Sequence, residues 1–185
     1  MKTMKTIKLL SILFIASILF TSCDNDDPEP VNEEEVITTM TATLTPVSGG
    51  GTIVLKTKDL DGDGPDAPVV TVSGSLAANT TYNGVMEVLN ETESPAEDIT
   101  EEVKDEADEH EFFYTSDVSG LSITKTDTDG NGNPLGVETS LTTGSAGSGT
   151  LTVILKHEPT KPNSGSSASA GGSTDVEVSF NITVQ

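Results

Sequence analysis

The chain has one cysteine, no tryptophan and no arginine, and only two tyrosines and five phenylalanines. One cysteine cannot form an intramolecular disulfide. So few aromatic rings also argue against a surface on which sugars or bases stack. The sequence contains no G-x-S-x-G nucleophile elbow, no paired cysteine and histidine, and no glycine loop of the kind that cradles phosphate. We therefore expect a protein that is not an enzyme.

Positive charge is scarce as well, since the chain has nine lysines and 30 acidic residues and its net charge is −21. Three of these lysines, Lys2, Lys5 and Lys8, lie at the N terminus. Without residues 1–22, six lysines and 30 acids remain among 163 residues, and the net charge is −24. Nucleic acid is excluded as a partner, because binding it requires a basic surface that replaces counterions. An acidic surface attracts cations or keeps the protein soluble.

A hydrophobic leader precedes the cysteine. The residues from Ile7 to Phe20 are almost all aliphatic or aromatic. A run of this length is too short to span a bilayer and is typical of a secretory signal peptide, here residues 1–22. The sequence Leu19-Phe20-Thr21-Ser22-Cys23 resembles a bacterial lipobox, with Phe20 where leucine is usual. The resemblance implies acylation of Cys23, and an ordinary secreted protein with one spare thiol is the alternative.

An acidic segment follows Cys23. Residues 23–35 are rich in Asp, Glu and Pro and have few apolar side chains, so we expect a disordered tether. An acidic run directly after an acylated cysteine resembles the surface-export signal of Bacteroidota lipoproteins. The resemblance implies a lipid-anchored outer-membrane protein that faces the cell surface. A tether on the periplasmic side is the alternative.

Residues 36–185 have the pattern of one antiparallel β domain. Apolar and polar residues alternate in short segments, most clearly from Val176 to Val184, and Gly- and Asp-rich turns separate them. The alternation of strands with helices that is typical of parallel sheets is missing. We predict an all-β, immunoglobulin-like antiparallel β-sandwich of about eight strands, with a β-barrel as the alternative.

Two segments of the domain differ from this strand pattern. Ser94-Pro95-Ala96-Glu97 has a serine cap, a proline at the first position and a glutamate three residues after the cap, which predicts one short surface helix to about Ala107. Its apolar stripe consists of Ile99 and Val103. The connection from Pro159 to Ser173 is rich in Pro, Gly and Ser, so we expect it to be flexible.

Two Asp-rich loops are candidate calcium sites. The first satisfies the twelve-residue formula of a calcium loop, which places oxygen ligands at alternate positions and glycine at the sixth. Its candidate ligands are Asp127, Asp129, Asn131, Asn133 and Glu138. The second, with Asp59, Asp61 and Asp63, resembles the loops of dockerin-like and thrombospondin-type calcium modules but has Val70 at the closing position. A solvated turn is the alternative for each loop.

The only two histidines suggest a second kind of metal site. His110 precedes Glu111, and His157 precedes Glu158 at the end of the most apolar predicted strand. Imidazole and carboxylate groups together bind zinc or copper. We predict such a site if the two His-Glu pairs converge, and two separate surface histidines if they do not.

The whole chain resembles a group of small flavobacterial lipoproteins. The segments that carry the resemblance include Glu33-Glu34-Glu35-Val36-Ile37, Asn131-Gly132-Asn133-Pro134 and Leu155-Lys156-His157-Glu158-Pro159. The group has been labelled "type 1 periplasmic-binding", a name for an α/β fold that the strand pattern here contradicts. We expect a surface module that captures a ligand, such as a metal ion, for a partner such as a TonB-dependent transporter. A structural or adhesive lipoprotein with calcium-stiffened loops is the alternative.

Overall fold

The structure, a computed structural model, describes residues 35–62 and 64–185. The predicted leader, Cys23, all of the predicted tether except Glu35, and Asp63 lie outside the described residues. The described part contains ten strands and two short helices. Neither of these helices is long and apolar enough to cross a membrane.

The strands make up about half of the described chain, and the two helices are short. The elements in chain order are β1 (Thr39–Pro46), β2 (Ile53–Lys58), β3 (Val69–Val72), β4 (Thr81–Asn90), β5 (Glu97–Asp98), α1 (Ile99–Asp105), β6 (His110–Ser116), β7 (Ser122–Lys125), β8 (Glu138–Thr142), β9 (Gly147–His157), α2 (Ser167–Ala170) and β10 (Ser173–Val184).

The ten strands form two antiparallel sheets. The larger sheet has the order β3-β2-β1-β4-β8-β7, with the two-residue β5 paired to β4, and the smaller sheet has the order β10-β9-β6. Over the described residues each sheet keeps two edge strands. The prediction of an all-β antiparallel sandwich is therefore confirmed. The described strands do not close into the β-barrel that was the alternative. The structure has ten strands where about eight were expected, and the two-residue β5 is the one with little sequence signal.

The hydrophobic core draws buried side chains from both sheets. In β10 the apolar side chains alternate with exposed polar ones, as one buried face requires. Burying one such side chain stabilises the fold by about 1.5–3 kcal/mol. The core residues with the least exposure include Met40, Leu55 and Val88 of the larger sheet and Phe112, Val153, Leu155 and Phe180 of the smaller one.

The predicted helix exists, but its predicted start is wrong. Helix α1 begins at Ile99, and the Asp98 carboxylate caps it by accepting the N–H of Thr100 at 3.0 Å. Glu97 and Asp98 are extended instead, because they pair with the end of β4 as strand β5. The predicted capping residues thus lie before the helix, while the apolar residues Ile99 and Val103 are buried as expected.

The connection between β9 and β10 is anchored to the sandwich rather than free. Lys161 Nζ donates to the carbonyl of Ala107 at 2.6 Å, and Asn163 Nδ2 donates to Glu111 Oε2 at 2.6 Å. The connection also contains helix α2, whose Ala170 is fully buried. The composition of the connection predicted flexibility, because a local pattern does not show contacts with residues that are distant in the sequence.

We expect Phe180→Ala to lower the free energy of unfolding by about 3–5 kcal/mol, because it removes a ring from a fully buried position and leaves a cavity. The matched control is Val85→Ala, since Val85 is 50% exposed, and its effect should be below about 0.5 kcal/mol. Urea denaturation of the two variants measures both values. Equal effects of the two substitutions would contradict the assigned core.

Candidate functional site

The pairing of β6 with β9 brings the two histidines together. His110 lies directly opposite His157 in the antiparallel ladder, and directly opposed residues have side chains on the same face. The two imidazole rings are stacked, with centroids 4.6 Å apart and an interplanar angle of 22°. Both side chains are almost fully buried, His110 at 0% exposed and His157 at 8%. The two histidines therefore converge, and the alternative of two separate surface histidines is not what the structure has.

Glu35 completes the group. Its Oε1 lies 2.7 Å from His110 Nε2 and 3.8 Å from His157 Nδ1, and its side chain is only 5% exposed. Its other oxygen, Oε2, and His157 Nδ1 are buried and have no hydrogen-bond partner in the part of the chain that the structure describes. One ligand atom from each of the three residues lies within 4.8 Å of the others. We call this group the Glu35–His110–His157 cluster.

The second nitrogen of each ring faces an oxygen. His110 Nδ1 lies 3.2 Å from the carbonyl oxygen of Glu106, and His157 Nε2 lies 3.6 Å from Glu109 Oε2. A metal-binding histidine commonly donates its remaining N–H to a carbonyl or carboxylate, which fixes the ring and leaves the other nitrogen as the ligand. By this rule His110 Nε2 and His157 Nδ1 are the ligand atoms, and both face Glu35.

The spacing of these atoms suits a small divalent cation. Zinc binds nitrogen and oxygen ligands at about 2.0–2.1 Å, so tetrahedral geometry separates neighbouring ligand atoms by roughly 3.3 Å. The two measured separations from Glu35 Oε1, 2.7 and 3.8 Å, lie on either side of that value. Small rotations of the side chains would therefore be enough to admit an ion between them.

The structure separates the two glutamates that we predicted as partners of the histidines. Glu111 is one residue from His110 in β6, so its side chain is on the opposite face, where it contacts Lys125 and Asn163. Glu158 lies beside the exposed edge of the site, in a second group with Glu109 and His157. Of the predicted set, His110 and His157 thus meet at Glu35, Glu158 converges with His157 and Glu109 instead, and Glu111 belongs to neither group.

Sequence reasoning missed Glu35 because it assigned this residue to the disordered tether. Nothing local separates it from Glu33 and Glu34 except that it directly precedes Val36, where the domain was expected to begin. Comparisons with protein-family models, with curated proteins and with solved structures give no match for this chain. The chemistry of the site is therefore argued from its own geometry.

The first Asp-rich loop forms the turn that was its alternative interpretation. Asp129 Oδ1 accepts the N–H groups of Asn131 and Asn133, both at 2.8 Å, and Asp127 Oδ1 accepts the N–H of Gly136 at 2.7 Å. Glu138 is exposed in β8. Among the described residues, the groups of three or more converging metal-ligand side chains include none of Asp127, Asp129 and Glu138. Calcium binding by this loop stays a prediction.

The second Asp-rich loop is also held by its own backbone. Asp59 Oδ1 accepts the N–H of Gly62 at 3.0 Å, and Asp61 Oδ2 accepts the N–H of Asp66 at 3.2 Å. These are local turn contacts of the kind that Asp side chains form without a metal. Asp63 is the member of the set that lies outside the described residues, so calcium binding here stays a prediction too.

A buried lysine faces the Asp129 carboxylate. Lys161 Nζ lies 3.6 Å from Asp129 Oδ2, and the side chains are 5% and 0% exposed. Burial raises the pKa of the Asp129 carboxyl, but hydrogen bonds from Asn133 and Asn131 and the charge of Lys161 outweigh it. The net result is a pKa below the ordinary value of 3.8. A carboxyl whose folded-state pKa is lowered stabilises the protein above its unfolded-state pKa, and this contribution is lost as the pH falls through the folded-state value.

We expect Asp129→Asn to lower the free energy of unfolding by roughly 1–2 kcal/mol at neutral pH, because the charge that strengthens these hydrogen bonds is gone. The difference from the unsubstituted protein should shrink as the pH falls below 3.8. Urea denaturation across an acid pH series measures it, with the exposed Glu87→Gln as the control. A difference that grows toward low pH would contradict the assigned role of the carboxylate.

Proposed function

We propose that this chain is a lipid-anchored cell-envelope protein whose domain captures a divalent transition-metal ion at the Glu35–His110–His157 cluster. One observation carries the proposal: two buried ligand atoms of the same cluster, Glu35 Oε2 and His157 Nδ1, have no hydrogen-bond partner among residues 35–62 and 64–185. A buried polar atom without a partner costs about 1–3 kcal/mol, and a bound cation would offset that cost.

The donor set favours zinc or copper(II) over other metals. Two imidazole nitrogens and a carboxylate oxygen suit these ions, whereas calcium and magnesium prefer six or more oxygen ligands. Copper(I) prefers thiolate and thioether ligands, which this cluster lacks among its three members. Three protein ligands leave a coordination position that water, Glu109 or an arriving ligand can take.

A cavity with several acidic side chains borders Glu35. It has a volume of about 690 Å³ and is also lined by Asp59, Asp175 and Glu177. Clefts lined by one sign of charge raise the local concentration of the opposite ion. In a chain with a net charge of −21, this cavity supports entry of a cation rather than of an anion or an acidic peptide.

The anchor and the site are close along the chain. Glu35 follows Cys23 by 12 residues. Even fully extended, 12 residues span only about 40 Å, so an acylated Cys23 would hold the cluster near the outer membrane. This proximity supports delivery of the captured ion to an outer-membrane partner, for which a TonB-dependent transporter is our candidate. The alternative role, a structural or adhesive lipoprotein stiffened by calcium, predicts a melting temperature that rises with calcium and no binding of transition metals.

We expect the protein to bind zinc or copper(II) with a stoichiometry of one, and the double variant His110→Ala/His157→Ala to bind more than about 100-fold more weakly, because two of three ligands are gone. Glu35→Gln, which keeps the shape of the side chain, should also weaken binding, by at least about tenfold. Isothermal titration of the full chain measures each affinity.

The control for this experiment is Glu138→Gln, which removes an exposed carboxylate of the first Asp-rich loop and should leave zinc affinity unchanged. Circular dichroism establishes that each variant is folded. Equal zinc affinity in Glu35→Gln and the unsubstituted chain would refute the cluster as the site.

We expect Cys23→Ser to move the protein from the membrane fraction to the soluble fraction, because the serine cannot accept the lipid. Fractionation of cells and detection of a labelled acyl chain measure the change. The metal affinity of the released protein should be unaltered, which separates the anchor from the site. A substituted protein that stays with the membrane would contradict lipidation at this residue.

A further inference from the structure

On the opposite face of β6 from His110, a buried glutamate joins a lysine and an asparagine. Glu111 Oε1 accepts a hydrogen bond from Lys125 Nζ, and Glu111 Oε2 accepts one from Asn163 Nδ2 at 2.6 Å. The glutamate side chain is 3% exposed and the lysine side chain 15% exposed. One carboxylate thus holds an amine and a primary amide side by side. We call these residues the Lys125–Glu111–Asn163 cluster.

The amide of Asn163 is held at its nitrogen and at its oxygen. Its Nδ2 also donates to the carbonyl of Thr160 at 3.0 Å, and its Oδ1 accepts the N–H of Gly165 at 2.8 Å. An N–H that points at an amide oxygen stabilises the negative charge which develops there when a nucleophile adds to the carbonyl carbon. The side chain is therefore oriented and polarised for attack at Cγ.

Lys125 is largely buried and lies next to Glu111, a carboxylate that can accept its proton. Burial lowers the pKa of Lys125, and the charge of Lys161 acts in the same direction, while Glu111 and the charge of Asp127 oppose them. The Nζ atom lies 4.3 Å from the centre of the Phe113 ring, so an aromatic wall covers one side of it. A cavity of about 310 Å³ borders Glu111, Lys125 and Asn163 and offers a small leaving group a way out.

We propose that Lys125 and Asn163 form an intramolecular amide bond between Lys125 Nζ and Asn163 Cγ, with Glu111 as the catalytic proton carrier. This reaction concerns a different face of β6 from the metal cluster and does not depend on the proposed function. It needs no oxidant, cofactor or second substrate, because all reacting groups belong to the chain.

The atoms and electrons of the reaction balance. Glu111 takes one proton from the Lys125 ammonium, and the amine attacks Cγ, so that the Nζ–Cγ bond forms and the carbonyl π electrons move to Oδ1. Glu111 gives its proton to Nδ2 and takes a second proton from Nζ. The electrons on Oδ1 then re-form the carbonyl as the Cγ–Nδ2 bond breaks, Nδ2 leaves with the bonding pair as ammonia, and ammonia takes the proton of Glu111 and leaves as ammonium. An uncharged secondary amide remains.

The bond would join the two sheets covalently. Lys125 is the last residue of β7 in the larger sheet, whereas Asn163 lies in the connection between β9 and β10 of the smaller one. The chain has one cysteine and so has no disulfide within itself. An amide cross-link restricts the unfolded chain in the way a disulfide does, but reducing agents do not cleave it.

Tryptic digestion of the folded full chain followed by mass spectrometry tests the proposal. Trypsin cleaves after Lys104 and Lys156, but a lysine in an amide bond and the Lys161-Pro162 bond both resist it. We expect residues 105–156 and 157–185 as one linked species, lighter than the sum of the two peptides by one ammonia. Fragmentation should place the link at Lys125 and Asn163.

Two variants should abolish the link. Lys125→Arg removes the nucleophile but keeps the charge, and Glu111→Gln removes the proton carrier but keeps the size. Each should give the separate peptides at their full masses. The matched control is Lys104→Arg, since Lys104 is an exposed lysine in an ion pair on α1, and this variant should retain the link.

The digest of the unsubstituted chain decides the proposal even where a variant fails to fold. Cleavage after Lys125, with all peptides at full mass, would overturn the proposal. A link that involves Lys161 instead of Lys125 would overturn it too, because Lys161 faces Asp129 rather than Glu111.

Discussion

The antiparallel pairing of β6 with β9 sets the positions on which both proposed sites depend. Its register places His110 opposite His157, and the next residue, Glu111, on the other face. Because side chains alternate along a strand, a slip of one residue would exchange the two faces and dismantle both clusters at once. The buried apolar residues of the same strands, such as Phe112 and Leu155, fix the register, since they lose their core contacts in any other one.

The second constraint on the structure is that its buried carboxylates need compensation, because the chain is strongly acidic. Glu35, Glu111 and Asp129 have side chains that are at most 5% exposed. A buried carboxylate costs several kcal/mol unless a cation or hydrogen-bond donors compensate it. Asp129 is matched by Lys161, and Glu111 by Lys125 as long as the proposed amide bond has not formed. Among the described residues Glu35 contacts imidazole rings and no lysine, so it is the carboxylate at which we propose a metal ion.

Local patterns predicted the architecture well and its details less well. The clear alternation from Val176 to Val184 is strand β10, and the Asp-rich segment after Lys125 is a turn between β7 and β8. The helix was expected four residues too early, because the tertiary pairing of Glu97 and Asp98 with β4 outweighed a good local capping sequence. Glu35, which we assigned to the tether, has its contact with His110, a residue 75 positions away in the chain.

Composition and local pattern were enough to predict the fold class and the acidic character of the domain. They also pointed to Cys23 as a candidate for lipidation and to the two histidines as potential ligands. Composition and periodicity carry this information because each depends on neighbours within a few residues. Tertiary structure alone decided that Glu35, and not Glu111, faces the histidines, and that Glu111 instead holds Lys125 and Asn163. These partners are 14 to 75 residues apart in the chain, and only the strand register and the packing of the two sheets bring them together.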